Sequence, residues 1–77
     1  MDKKVTIYTS NSCMYCHMAK DYLDELDVPY EEKNVSNDER ARHELAEKGY
    51  MGVPVIIIGD EEIVGFDKGR IAQLLGK

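Results

Sequence analysis

The amino-acid sequence predicts an α/β domain with a four-stranded mixed sheet and helices on both faces, in the order βαβαββα. Three observations lead there. The β-branched and aromatic runs Val5-Thr6-Ile7-Tyr8 and Val53-Pro54-Val55-Ile56-Ile57-Ile58 read as strands. Stretches with apolar residues at helical spacing lie between and after them. Gly59-Asp60 joins two strands as a two-residue hairpin. The 77 residues read as one domain, residues 1–77, without repeat, linker or low-complexity tract. A chain this short buries only about 60% of its unfolded surface, so each apolar strand matters to stability.

The first strand is expected from Lys4 to Thr9. Thr9-Ser10-Asn11-Ser12 then forms a loop that caps a helix beginning near Cys13. In that helix Cys16, Ala19, Leu23 and Leu26 recur at helical spacing, with Met18 and Tyr22 beside them. Lys20, Asp24 and Glu25 fall on the opposite side. Val28-Pro29 ends it, because the residue before a proline avoids the α region. Tyr30 to Val35 is the second strand. Ser36 and Glu39 have the spacing of a capping box for a polar helix. Its inward residues are Ala41, Leu45 and Ala46, and Gly49 closes it. Tyr50-Met51-Gly52 leads into the run from Val53 to Ile58, the most hydrophobic of the chain and a central strand. Glu61 to Val64 returns as its partner, and Asp67 caps a last helix with Ile71, Leu74 and Leu75 buried. The first two strands run parallel through a right-handed crossover. The hairpin is antiparallel by necessity.

Ten basic and fifteen acidic residues leave a net charge of −5. That argues against nucleic acid as a partner, since phosphate binding wants a basic face. Nothing approaches a membrane span. The apolar run after Met1-Asp2-Lys3-Lys4 is too short for a signal peptide, so the expected location is the reducing cytoplasm. There a close cysteine pair is catalytic or metal-binding more often than structural.

Ser12-Cys13-Met14-Tyr15-Cys16-His17 supports three chemistries. Cys-x-x-Cys-His is a haem-attachment pattern, and Cys-x-x-Cys alone is a redox dithiol or half a zinc site. Haem needs a packed apolar pocket and a second axial ligand, for which a sheet this small leaves no room. A structural zinc site wants four ligands, and the remaining candidates, His17 and His43, complete no second pair. The redox reading has the best context. Cys13 opens a helix, where unpaired amides and the macrodipole favour a thiolate and lower the pKa. Cys16 lies one turn deeper on the apolar face and stays a thiol. The Cys13 thiolate then attacks a substrate disulfide and Cys16 resolves the mixed disulfide. No metal or organic cofactor is built into this reading. Two alternatives stand beside it: an iron–sulfur or metal carrier using Cys13, and a non-catalytic binding module.

With Cys13-Met14-Tyr15-Cys16, Val53-Pro54 and Gly65-Phe66-Asp67 placed on this topology, nearly the whole chain resembles a glutaredoxin-like protein of the thioredoxin superfamily. The resemblance implies a glutaredoxin-type thioredoxin fold and reduction of protein disulfides by a monomer. It implies a cis bond between Val53 and Pro54, with the Val53 backbone pairing to a bound cysteinyl backbone. Tyr15 matches the tyrosine of the usual Cys-Pro-Tyr-Cys, while Met14 replaces its proline. Glutathione-using members carry a lysine where this chain has Ser10, Thr-Val-Pro where it has Gly52-Val53-Pro54, and a Gly-Gly pair where it has Val64-Gly65. Asp67 remains as a holder for the amino group of glutathione, with helix capping as an equal alternative. Gly65-Phe66 also resembles the Ser-Gly-Phe of redoxins that serve ribonucleotide reductase and draw electrons from thioredoxin reductase. Phe66 either lines the groove or joins the core. The electron donor is therefore glutathione, as a co-substrate, or thioredoxin reductase.

Overall fold

The computed structural model describes residues 4–50 and 52–76. Met51, expected in the lead-in to the third strand, lies outside the described residues, as do Met1 to Lys3 and Lys77. The elements are β1 (Val5–Thr9), α1 (Met14–Glu25), β2 (Glu31–Asn34), α2 (Glu39–Glu47), β3 (Val55–Ile58), β4 (Glu61–Val64) and α3 (Lys68–Leu75). They form one four-stranded sheet in the order β2-β1-β3-β4. β1 and β2 pair in parallel, whereas β1–β3 and β3–β4 are antiparallel. This is the expected βαβαββα arrangement of the thioredoxin fold.

The side-chain alternation of the strands divides the interior into two layers. Val5, Ile7, Ile56, Ile58 and Ile63 face Ala19 and Leu23 of α1 and Ile71 of α3. Tyr8 and Val55 point the other way, to Ala41 and Leu45 of α2. Hence α1 and α3 cover one face and α2 the other. Gly59, with φ 62°, takes the positive-φ position of the hairpin and places Ile58 opposite Glu61.

Several local expectations are corrected. Asp38, not Ser36, caps α2, its carboxylate accepting from the Arg40 and Ala41 amides. Ser36 instead turns towards the β1–α1 loop, where its hydroxyl accepts the Asn11 amide. Cys13 itself is the N-cap of α1, rather than a residue of the preceding loop. That helix ends at Glu25, before Val28-Pro29, because Asp27 adopts φ 59° and turns the chain. Ala46 is exposed and Met18 is 43% exposed, so both leave the buried stripes assigned to them. β2 and β3 are shorter than expected: Tyr30, Val35, Val53 and Pro54 flank the strands. Gly49 does follow α2 with φ 86°, and Asp67 does cap α3.

Candidate redox site

The β1–α1 junction carries the dithiol. Cys13 has extended backbone angles, φ −97° and ψ 109°, and its sulfur accepts the Cys16 amide at 3.1 Å. One of the amides orphaned at the helix start thus finds its acceptor in Cys13 Sγ. Cys16 is one turn on, 1% exposed, while Cys13 is only half-buried. The two form a disulfide with their Cα atoms 5.2 Å apart, so the structure represents the oxidised protein. The accessible sulfur is the one beside the helix amide, and the shielded sulfur is the one behind it. That asymmetry suits an attacking and a resolving thiol. His17 stands outside this arrangement: its exposed imidazole lies 3.6 Å from Asp21.

The second wall comes from the segment before β3. The Val53–Pro54 peptide bond is cis, as the resemblance implied, and the Val53 carbonyl oxygen lies 3.7 Å from Cys13 Sγ. Pro54 is buried and Val53 half-buried. The Gly65 amide donates to the Pro54 carbonyl at 2.8 Å. Gly65 makes this contact from φ 92°, a conformation that side-chain-bearing residues rarely adopt. A groove of about 650 Å³ runs from this wall towards α2, lined by Ser10, Val35, Arg42, Leu45, Tyr50 and Val53 among others. Its lining is largely apolar, with Arg42 the charged residue.

Cys13, Cys16, Val53, Pro54 and Gly65 therefore converge. Tyr15, 62% exposed, sits on the first turn of α1 between the two cysteines in sequence. Phe66 faces away into the first core layer, where it meets the Tyr22 ring edge-on at 6.0 Å between centroids. Asp67 Oδ1 accepts the Arg70 amide at 3.2 Å, the capping alternative. Two polar ties were not anticipated from the sequence. Buried Thr9, at the end of β1, donates to Glu32 at 2.8 Å, and Lys20 of α1 meets the same carboxylate at 3.0 Å. These contacts hold the Glu32 carboxyl below the ordinary range, the Thr9 hydroxyl contributing most and partial burial opposing it. Glu62 receives the Tyr50 hydroxyl at 2.6 Å and the Lys48 ammonium at 3.0 Å, and these donors likewise lower its pKa. Hairpin register was the available signal for this tie, since it puts Glu62 opposite Ile57 on the α2 side of the sheet.

Comparison with known proteins agrees with this geometry. Residues 5–63 match the glutaredoxin family. The glutaredoxin-like protein NrdH of Lactococcus lactis subsp. lactis is 33% identical over 70 residues, spanning 91% of this chain and 97% of that protein. A glutaredoxin-like 8.6 kDa protein of the rubredoxin operon of Clostridium pasteurianum is 35% identical over 74 residues, 95% and 99% of the two chains. The solved NrdH-redoxin of Escherichia coli, a glutaredoxin-like protein described as having a thioredoxin-like activity profile, superimposes with a TM-score of 0.85. It is 34% identical, over 92% of this chain and 93% of that one. The chain belongs to the glutaredoxin family, as a dithiol thiol–disulfide oxidoreductase whose redox centre is Cys13-Met14-Tyr15-Cys16.

Proposed function

We propose that the 77 residues act as one monomeric domain that reduces protein disulfides in the cytoplasm and is recharged by thioredoxin reductase rather than by glutathione. The observation that carries the choice of donor is Ser10. It lines the groove beside Val53, at the position where the resemblance to glutathione-using members implies a lysine. The thioredoxin-like activity profile of the related E. coli redoxin supports the same choice. Asp67 is engaged as the α3 cap, which leaves helix stability as sufficient reason for its presence.

Reduced Cys13 attacks one sulfur of the substrate disulfide as a thiolate. The Cys13–substrate bond forms, the substrate S–S bond breaks, and the departing sulfur takes a proton. Cys16 then loses its proton and attacks Cys13 Sγ. The second substrate thiol leaves, and the pair is oxidised to the disulfide present in the structure. Two electrons pass to the substrate and are restored by the reductase. The Cys16 amide stabilises the Cys13 sulfur as charge gathers there. Tyr15 and the Val53-Pro54 rim meet the substrate, the Val53 backbone pairing with it as an added strand would. Gly65 holds that rim through Pro54. Phe66 and Asp67 set the course of the chain after β4, one in the core and one at the helix cap.

The deciding experiment is NADPH oxidation coupled to a small disulfide, run with thioredoxin reductase and, separately, with glutathione plus glutathione reductase. Turnover with thioredoxin reductase alone is expected. Turnover confined to the glutathione system overturns the choice of donor.

A further inference from the structure

Pro54 of the cis-proline rim and Tyr50 before it are held to β4 and the residue that follows it, one contact each. For Pro54 the contact is the Gly65 amide at 2.8 Å. Tyr50, three residues before Val53, makes the other. Its hydroxyl donates to Glu62 Oε1 at 2.6 Å, while Lys48 Nζ holds Oε2 of the same carboxylate at 3.0 Å. Glu62 thus receives a donor on each oxygen, which fixes the plane of its carboxylate. The Tyr50 ring is not a passive spacer. It packs on the second core layer beside Leu45 and Val55, and it lines the groove that runs to Val53. Its amide is pinned as well, donating to the Leu45 carbonyl at 3.2 Å. Val53 in turn touches Cys13 Sγ through its carbonyl oxygen. Tyr50 and Val53 both pack on the second core layer and line the groove, so the tie at Glu62, on the edge strand, and the carbonyl against the reactive sulfur belong to one wall.

We infer that Glu62 is a positioning residue for protein substrates: through the Tyr50 hydroxyl it sets the groove wall and the Val53-Pro54 rim against which a polypeptide disulfide docks. A small disulfide reaches Cys13 without using the groove and does not depend on this clasp. The inference rests on the docking role proposed above for the rim.

The test uses fully reduced protein, freed of reductant and mixed in single turnover with insulin or with 2-hydroxyethyl disulfide, so no electron donor enters the outcome. Tyr50→Phe keeps the ring and removes the hydroxyl; Glu62→Ala removes the acceptor; Glu62→Gln keeps one acceptor oxygen. Tyr50→Phe and Glu62→Ala should slow insulin reduction about fivefold, the rate equivalent of one lost hydrogen bond. Both should leave the 2-hydroxyethyl disulfide rate within about twofold, and Glu62→Gln should restore most of the insulin rate. Equal slowing with both substrates, or an unchanged insulin rate in Tyr50→Phe and Glu62→Ala, overturns the inference. Pro54→Ala separates the two layers of the reading. If it slows insulin while the clasp variants do not, only the clasp is wrong. If it too leaves insulin untouched, the docking role of the rim fails with it.

Discussion

Cys13 and Cys16 differ in two respects that matter chemically: one sulfur is accessible and accepts a helix amide, the other is shielded. Their substitution should therefore give different failures. Cys13→Ser is expected to abolish exchange, because nothing else at the site offers an accessible thiolate. Cys16→Ser should instead stop at the mixed disulfide, seen by mass spectrometry as a covalent adduct of protein and substrate that a thiol reductant removes. An inactive Cys16→Ser without adduct, or an active Cys13→Ser, contradicts the assignment. This asymmetry was legible in the sequence. A cysteine at a strand–helix junction and another three residues on have different surroundings in any helix that buries the second. The role of Cys13 as the N-cap itself was not legible, since serine and asparagine, the usual caps, stand immediately before it.

Among the elements, α2 shows how a correct motif can be assigned to the wrong residue. Ser36 and Glu39 fit the capping-box spacing, yet Asp38 makes the cap. The reason lies outside the helix. Asn34 Oδ1 accepts the Ser36 amide at 2.8 Å, and Asn34 donates from its side chain to Asn11 at 2.9 Å. These bonds tie the β2–α2 turn to the β1–α1 loop and draw Ser36 away from the helix start. Asp38→Ala should then lower unfolding free energy by about 1 kcal/mol in urea titration, the usual cost of a lost N-cap. Ser36→Ala should cost less, because its hydrogen bond is at an exposed loop. A larger loss at Ser36 would reinstate the capping box. The β elements were read more reliably. Val55–Ile58 is apolar at every position and is an interior strand, and the Gly59-Asp60 hairpin dictates its partner.

For the molecule as a whole, polar ties across the sheet join elements that the two core layers leave separate. Glu32 links β2 to β1 through Thr9 and to α1 through Lys20. Its depressed pKa means that the folded chain binds fewer protons than the unfolded chain near that pH. The stabilisation is present above the ordinary carboxylate value of about 4.5 and is lost as pH falls from there through the lower folded value. Glu62 acts with the same sign. Stability measured against pH should therefore decline on the acid side, and Glu32→Gln should flatten that decline while lowering the plateau. An acid limb of unchanged slope in Glu32→Gln would show that the Thr9–Glu32–Lys20 tie carries no linkage.

Local patterns sufficed for the element order, the two-faced burial of the sheet, the redox pair and the hairpin. Each depends on residues within a turn or a few positions of one another, and hydrophobic periodicity together with turn chemistry encodes such relations directly. The functional surroundings of the dithiol arise differently. Val53 meets Cys13 across 40 positions, Tyr50 meets Glu62 across 12, and Thr9 meets Glu32 across 23. No periodicity within one segment encodes such pairs. They follow from the strand order β2-β1-β3-β4 and from the register that faces Ile57 with Glu62, because register decides which side of the sheet each polar side chain enters.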